Sequence, residues 1–141
     1  RLHEHYDFAE LAYNRAIELD GNNLTAWENL SVLYDFQGKP HQAQTIRNRI
    51  VMKRTDNPYY HFMLGETAFD AQEWNTAVRH YREALRLDKT KHEIYFGLAK
   101  TYLQLGDVMR SKRYLARARK LSSSRQDQEK YQGKLDLLSS L

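Results

Sequence analysis

His3 and His5 stand two residues apart in R-L-H-E-H, and paired imidazoles at such spacing are one way a metal site begins. Nothing in the sequence completes it. There is no cysteine, which excludes thiolate metal ligands, disulfides and a cysteine nucleophile. The remaining histidines, His41, His61, His80 and His92, are scattered and share no ligand spacing. No glycine-rich phosphate loop and no G-x-S-x-G elbow is present. No catalytic residue is nominated, no metal or cofactor is expected, and the chain is not read as an enzyme. The chemistry left to it is that of surfaces. Aromatic residues make up 12% of the chain, ten of them tyrosine, and 22 Lys and Arg stand against 18 Asp and Glu.

Such side chains work only where the backbone groups them. At 141 residues the chain fits one domain. With 41% hydrophobic and 28% charged residues it has the composition of a soluble protein. No apolar run approaches the ~18 residues that span a bilayer, and no charged-then-apolar leader opens the chain. Six Gly and two Pro are few breakers, which points to packed helices, not short strands. Arg1 does not look like a natural start, so the N-terminus is read as cut and the C-terminus as natural. A cysteine-free soluble chain suits the cytoplasm and a bacterial periplasm equally, and the compartment is left open.

The phrase YNRAIELD at Tyr13–Asp20 returns as YREALRLD at Tyr81–Asp88, two periods of 34 residues later. Stepping by 34 gives Ala9, Ala43, Ala77, Ser111, then Ala16, Ile50, Ala84, Ala118, then Ser31, Gly65, Ala99, Gly133, and Leu30, Leu64, Leu98. Small residues at three fixed slots let helices approach closely, and large neighbours fill the space between. Trp27, Leu30, Ser31 and Tyr34 fall at i, i+3, i+4 and i+7, one face of a helix, as do Tyr95, Leu98, Ala99 and Tyr102. Gly38-Lys39-Pro40 and Gly106-Asp107 break the chain after these helices, with Pro40 suited to the first turn of the next.

This pattern resembles the tetratricopeptide repeat. It is carried by Trp27-x2-Leu30-Ser31-x2-Tyr34, His61-x2-Leu64-Gly65-x2-Ala68, Tyr95-x2-Leu98-Ala99-x2-Tyr102, Ala9-x3-Tyr13 and Ala77-x3-Tyr81. The late proline of that family is missing, its slot holding Gly21, Thr55, Lys89 and Ser123, and the second repeat has Arg47 and Ile50 where an aromatic and an alanine are usual. The resemblance implies an all-α, right-handed superhelical solenoid of antiparallel helix pairs. Residues 1–23 would be the second half of a truncated repeat, 24–57, 58–91 and 92–125 full repeats, and 126–141 a capping helix. Seven helices and no sheet are expected, at about 5–19, 24–37, 40–54, 58–71, 74–87, 92–105 and 108–121, and a last helix follows at about 125–139. Ser124 can cap that helix with Asp127 three residues on, and Tyr131, Leu135 and Leu138 give it one apolar stripe. Gln132 and Asp136 make its outer face polar, as a solenoid cap requires.

By the same resemblance the first helix of each pair lines a concave face. The residues implied there are Glu28, Asp35 and Phe36, then Tyr59, Phe62, Glu66, Phe69 and Asp70 with Met63 beside them, then Phe96 and Lys100. These positions are not needed for packing within a repeat, so the aromatics are expected to be surplus to folding and to form a groove rimmed by acids. Aromatic anchors in a concave surface suit peptide recognition. The Lys, Asn, Lys, Arg clamp that one subclass uses for terminal carboxylates is not expected, since Glu28, Tyr59, Phe62 and Met63 stand where its cations would be and Asn29 alone could match.

Charge segregates along the repeats. The first helices carry Glu28, Asp35, Glu66, Asp70 and Glu93 against Lys100, whereas 40–54, 74–87 and 108–121 carry net +4, +2 and +6. Tyr114 alone stands among the arginines of 108–121, too few aromatics for a base-stacking platform, and nucleic acid is not the expected partner. The expectation is a protein-interaction scaffold taking a protein or peptide segment with apolar and some basic residues, and self-associating through its truncated N-terminal end. The alternatives are a regulatory or targeting module of a larger enzyme, or an anion-binding module using the basic convex face.

Overall fold

A computed structural model describes residues 2–141, with side chains from residue 4 onward. All regular structure among the described residues is helical: α1 Leu2–Leu19, α2 Leu24–Phe36, α3 Pro40–Thr55, α4 Pro58–Asp70, α5 Trp74–Leu87, α6 His92–Gln104, α7 Val108–Leu121 and α8 Arg125–Ser139. Among the described residues these are the seven expected repeat helices, α1–α7, and the expected last helix, α8. The helices divide into two compact units, α1–α3 ending at Asp56 and α4–α8 spanning Asn57–Leu141. Within each unit consecutive helices pack on one another, and α4 also meets α6.

Local chemistry sets the helix ends. Asn23, Asp107 and Ser124 accept hydrogen bonds from the N–H groups of Ala26, Arg110 and Asp127, capping α2, α7 and α8. Pro40 and Pro58 open α3 and α4, where no N–H is needed. The turns within the helix pairs share one closure. Gly38, Gln72 and Gly106, 34 residues apart, all take positive φ, at 72°, 59° and 80°. Each is followed by an N–H that reaches back to the third-last carbonyl of the helix: Lys39 to Tyr34 at 2.8 Å, Glu73 to Ala68 at 2.9 Å and Asp107 to Tyr102 at 2.9 Å.

The doubled phrase has a structural counterpart in the links between pairs. Asp20 accepts from the Asn22 N–H at 3.0 Å, and Asp88 accepts from the Thr90 N–H at 2.8 Å. Trp27 then donates to the Gly21 carbonyl at 3.0 Å, as Tyr95 does to that of Lys89 at 2.9 Å. Ser122, in the same slot of the frame, takes a weaker bond from the Ser124 N–H at 3.3 Å.

In the first unit Trp27, Leu30 and Leu33 of α2 meet Ile46 and Ile50 of α3, with Tyr6, Ala9, Tyr13 and Ile17 of α1 packed on them. Ile50 fills the slot where alanine is usual. Ala43 is wholly enclosed there, but Ala9 is only half-buried, so its slot is looser than expected. In the second unit Tyr81 of α5 is the centre of packing and wholly enclosed, with Ala77, Ala84 and Ala99 also at zero exposure. Its ring lies against Gly65 of α4 and Gly97 of α6, closely enough that a Cβ at either would stand 2.7 Å or 2.5 Å from ring carbons. A second cluster joins Tyr95, Ala99, Leu115 and Ala118 to Tyr131 and Leu138 of α8. His92 Nδ1 lies 2.7 Å from the Tyr131 hydroxyl and ties α8 to α6. Burial, Asp127 and Glu93 push the Tyr131 phenol up to about 12.

Candidate functional site

In the first unit α2 buries Trp27, Leu30 and Ser31 and turns Glu28, Asp35 and Phe36 outward, with Phe36 72% exposed. Both acids are engaged: Glu28 pairs with Arg54 and Asp35 with Arg47, each reaching from α3. Arg47, the departure from the aromatic slot, thus meets an acid of the preceding helix.

In the second unit Tyr59 and Met63 project from α4 with 65% and 42% of their surface exposed. Phe62, Phe69 and Phe96 do not. Phe62 lies 5.9 Å from the Tyr81 ring, Phe69 meets Trp74 edge-on at 5.0 Å, and Phe96 lies 5.3 Å from Tyr131. These three are half-buried against the core clusters. The expectation that all five groove aromatics are surplus to folding is therefore corrected: it suits Phe36 and Tyr59, while Phe62, Phe69 and Phe96 each spend one face on packing.

Lys100 of α6 draws the site together. Its Nζ is 3.0 Å from Glu66 Oε1, 4.4 Å from the centre of the Phe69 ring and 5.8 Å from that of Phe96. Glu66 also accepts from the Tyr81 hydroxyl, and burial with this carboxylate pushes that phenol far above its usual range. Glu93 lies 2.6 Å from His92 Nε2. Asp70 remains exposed at the end of α4. The acids expected to rim the groove are thus mostly matched inside the fold, which weakens the field they could offer a basic partner.

Sequence reading missed Lys130, Lys134 and Leu137, which α8 sets beside Phe96 and its neighbours. The Lys130 and Lys134 ammoniums stand 4.5 Å and 5.7 Å from the Phe96 ring centre. The signal is in the sequence: these residues continue the 34-residue frame from the groove positions Phe62, Glu66 and Phe69 into the capping helix. Two cavities adjoin the inner helices. One of about 140 Å³ is lined by Pro58, Tyr59, Phe62, Lys91, Glu93 and Ile94, and one of about 180 Å³ lies among α6, α7 and α8. His61 is buried, as its slot implied. His5 is exposed, and the side chain of His3 lies outside the described residues. No group of three or more metal-ligating side chains converges among the described residues, and no helix there is long and apolar enough to cross a membrane.

Three repeat-family models match the chain. Two described as tetratricopeptide repeat cover residues 12–45 and 92–124, and one described as TPR repeat covers residues 65–106. With the 34-residue frame and the helix pairs that follow it, the chain belongs to the tetratricopeptide repeat family. Among solved structures it is similar to one titled "Crystal structure of MamA", at 19% identity over 99% of this chain and 92% of that one, with a TM-score of 0.51. It also matches "Crystal structure of MamA protein" at 20% identity over 99% and 80%, with a TM-score of 0.49. The first likeness is one of fold. No curated protein sequence matches the chain.

Proposed function

We propose that the chain is a protein-interaction scaffold that binds a peptide or protein segment on the inner faces of its first helices. In the first unit the contact residues are Glu28, Asp35 and Phe36. In the second they are Tyr59, Phe62, Met63, Glu66, Phe69, Asp70, Phe96 and Lys100. The observation that carries the reading is the exposure of Tyr59 and Met63 on the same helix as the half-buried Phe62, beside the cavity of about 140 Å³. Helices already packed against a core lose little freedom on binding, so less of the contact energy is lost to ordering. Membership of a repeat family whose members serve as scaffolds supports protein partners.

The test is peptide selection by phage display on the native chain, followed by affinity measurement on variants. Tyr59→Ala with Met63→Ala should weaken selected peptides by about tenfold or more and leave the melting temperature close to native. Arg113→Glu with Arg117→Glu on the outer helix should do little. A second reading rests on Arg113, Arg117 and Lys120, which line an open depression of about 380 Å³ with Tyr95 and Tyr114. If the charge reversal abolishes binding while the α4 variant binds as the native chain does, that basic face is the site, and the lost affinity should fall steeply with salt.

A further inference from the structure

We infer that the second unit carries a carboxylate-binding subsite at Lys100, Lys130 and Lys134, where an acidic peptide segment seats one apolar side chain in the adjoining cavity. The inference rests on the scaffold reading in that its ligand is a peptide, but it moves the contact to α6 and α8 and reverses the partner's charge.

Three ammonium groups stand within 6 Å of the centre of one ring, Phe96: Lys130 at 4.5 Å, Lys134 at 5.7 Å and Lys100 at 5.8 Å. Attraction to a ring face is weak at an exposed site and does not remove the repulsion among three like charges. Lys100 has Glu66 at 3.0 Å. Among the described residues Lys130 and Lys134 form no ion pair, because the acids of α8 are held elsewhere. Glu129 takes Arg125 at 3.0 Å, Asp136 accepts from Gln132 at 2.8 Å, and Asp127 faces His92 at 3.9 Å. An incoming carboxylate would be the missing counter-charge. The wider field agrees, since residues 57–141 carry fifteen Lys and Arg against ten Asp and Glu.

Two of these lysines, Lys100 and Lys134, adjoin an apolar recess. The cavity of about 180 Å³ is walled by Phe96, Leu103, Leu115, Leu137 and Leu138, with Ser111, Lys100 and Lys134 completing it. Leu137 is 71% exposed at its edge. Pockets for whole small molecules run to roughly 300–1,000 Å³, so this one suits a single side chain of a longer ligand. A recess for one apolar group, with the unmatched Lys134 in its wall and the unmatched Lys130 on the Phe96 ring beside it, fits a segment that alternates leucine-like and acidic residues. The set differs from the terminal-carboxylate clamp excluded above, since Lys130 and Lys134 lie on α8, beyond the last matched repeat at residue 124.

The experiment uses the full chain and three fluorescein-labelled peptides: one alternating Glu and Leu, one with Gln for each Glu, and one with Lys for each Glu. Fluorescence anisotropy should show the Glu peptide binding tightest and losing affinity as salt is raised. Lys130→Glu with Lys134→Glu should weaken it by about tenfold or more. Leu137→Asp should weaken it separately, by placing a charge at the recess. All three side chains are exposed, and an unchanged far-UV dichroism melt confirms that the variants fold. Equal or tighter binding of the Lys peptide, or no effect of the lysine reversal, overturns the inference. Full displacement by oligothymidylate, with Leu137→Asp without effect, also overturns it by assigning the lysines to a nonspecific polyanion surface. If binding is lost through Tyr59→Ala and Met63→Ala but not through the α8 changes, the scaffold reading stands and this subsite is discarded.

Discussion

Gly97→Ala should destabilise the protein although it improves the helix. In the middle of α6 alanine is favoured over glycine by about 0.8–1.0 kcal/mol. The new methyl, however, would stand 2.5 Å from Tyr81 Cε1, 2.7 Å from Cζ and 2.8 Å from Cδ1. Carbon pairs rest at about 3.5–4.0 Å, so the ring would have to retreat by roughly 1 Å. It has nowhere to go, because Gly65 of α4 presses the same ring and Tyr81 is wholly enclosed. Overpacking of this kind costs about 1–3 kcal/mol. With the ring held on two sides the upper half of that range applies, and the net loss after the propensity gain is about 1–2 kcal/mol. Urea unfolding followed by far-UV dichroism measures it, with the midpoint expected to fall at constant slope. A second arm isolates the cause. In a Tyr81→Leu background the ring is gone, and Gly97→Ala should become neutral or stabilising, giving a coupling of about 1–3 kcal/mol in the double-mutant cycle. A stabilising Gly97→Ala in the native chain, or a coupling near zero, would refute the claim that Tyr81 is gripped between two glycines.

Gln72 holds a left-handed conformation at a turn where the equivalent positions are glycine, so Gln72→Gly should raise stability by about 1 kcal/mol, and a lower urea midpoint would contradict it. The Tyr131 phenol is raised to about 12 in the fold but titrates near 10 when unfolded. The unfolded chain therefore releases this proton first, and stability present below pH 10 should fall as pH rises towards 12. Tyr131→Phe should flatten that loss between pH 10 and 12, and an unchanged slope would show that another group, such as Tyr81, carries it. Phe8 and Leu11 of α1 are 74% and 67% exposed three residues apart, a patch that favours association. Sedimentation velocity should show the native chain self-associating and Phe8→Glu with Leu11→Glu reducing it, whereas a native monomer at its highest attainable concentration would count against the patch.

The helices were legible because their signal is repetitive and local. Small residues recur at fixed slots, Gly38 and Gly106 break two of the three pairs, and each observed boundary lies within three residues of its expected place. What the sequence hid was the partner of each polar group across a helix pair. Nothing local says that Arg47 reaches Asp35 or that Arg54 reaches Glu28, since those pairs depend on how α3 leans on α2. The same limit applied to the aromatics. Phe62, Phe69 and Phe96 occupy groove positions in the frame, yet Tyr81, Trp74 and Tyr131 reach forward to cover one side of each. Periodicity reports the direction in which a side chain leaves its helix, and the size of the neighbour decides whether it stays in water.

The links made by Asp20 and Asp88 differ in kind from the turns at Gly38, Gln72 and Gly106. The turns are closed by backbone groups alone, so a stretch carrying one can be duplicated or lost in evolution as a block, with little demand on its side chains. The links are closed by a carboxylate and by the ring that follows, Trp27 or Tyr95. In the same slot the chain has Ser122 before α8. Joints of that sort inherit their angle from individual residues. In a lineage of such proteins the hairpins would then be the unit of gene duplication, and the slot of Asp20, Asp88 and Ser122 the place where single substitutions adjust one joint without disturbing the others.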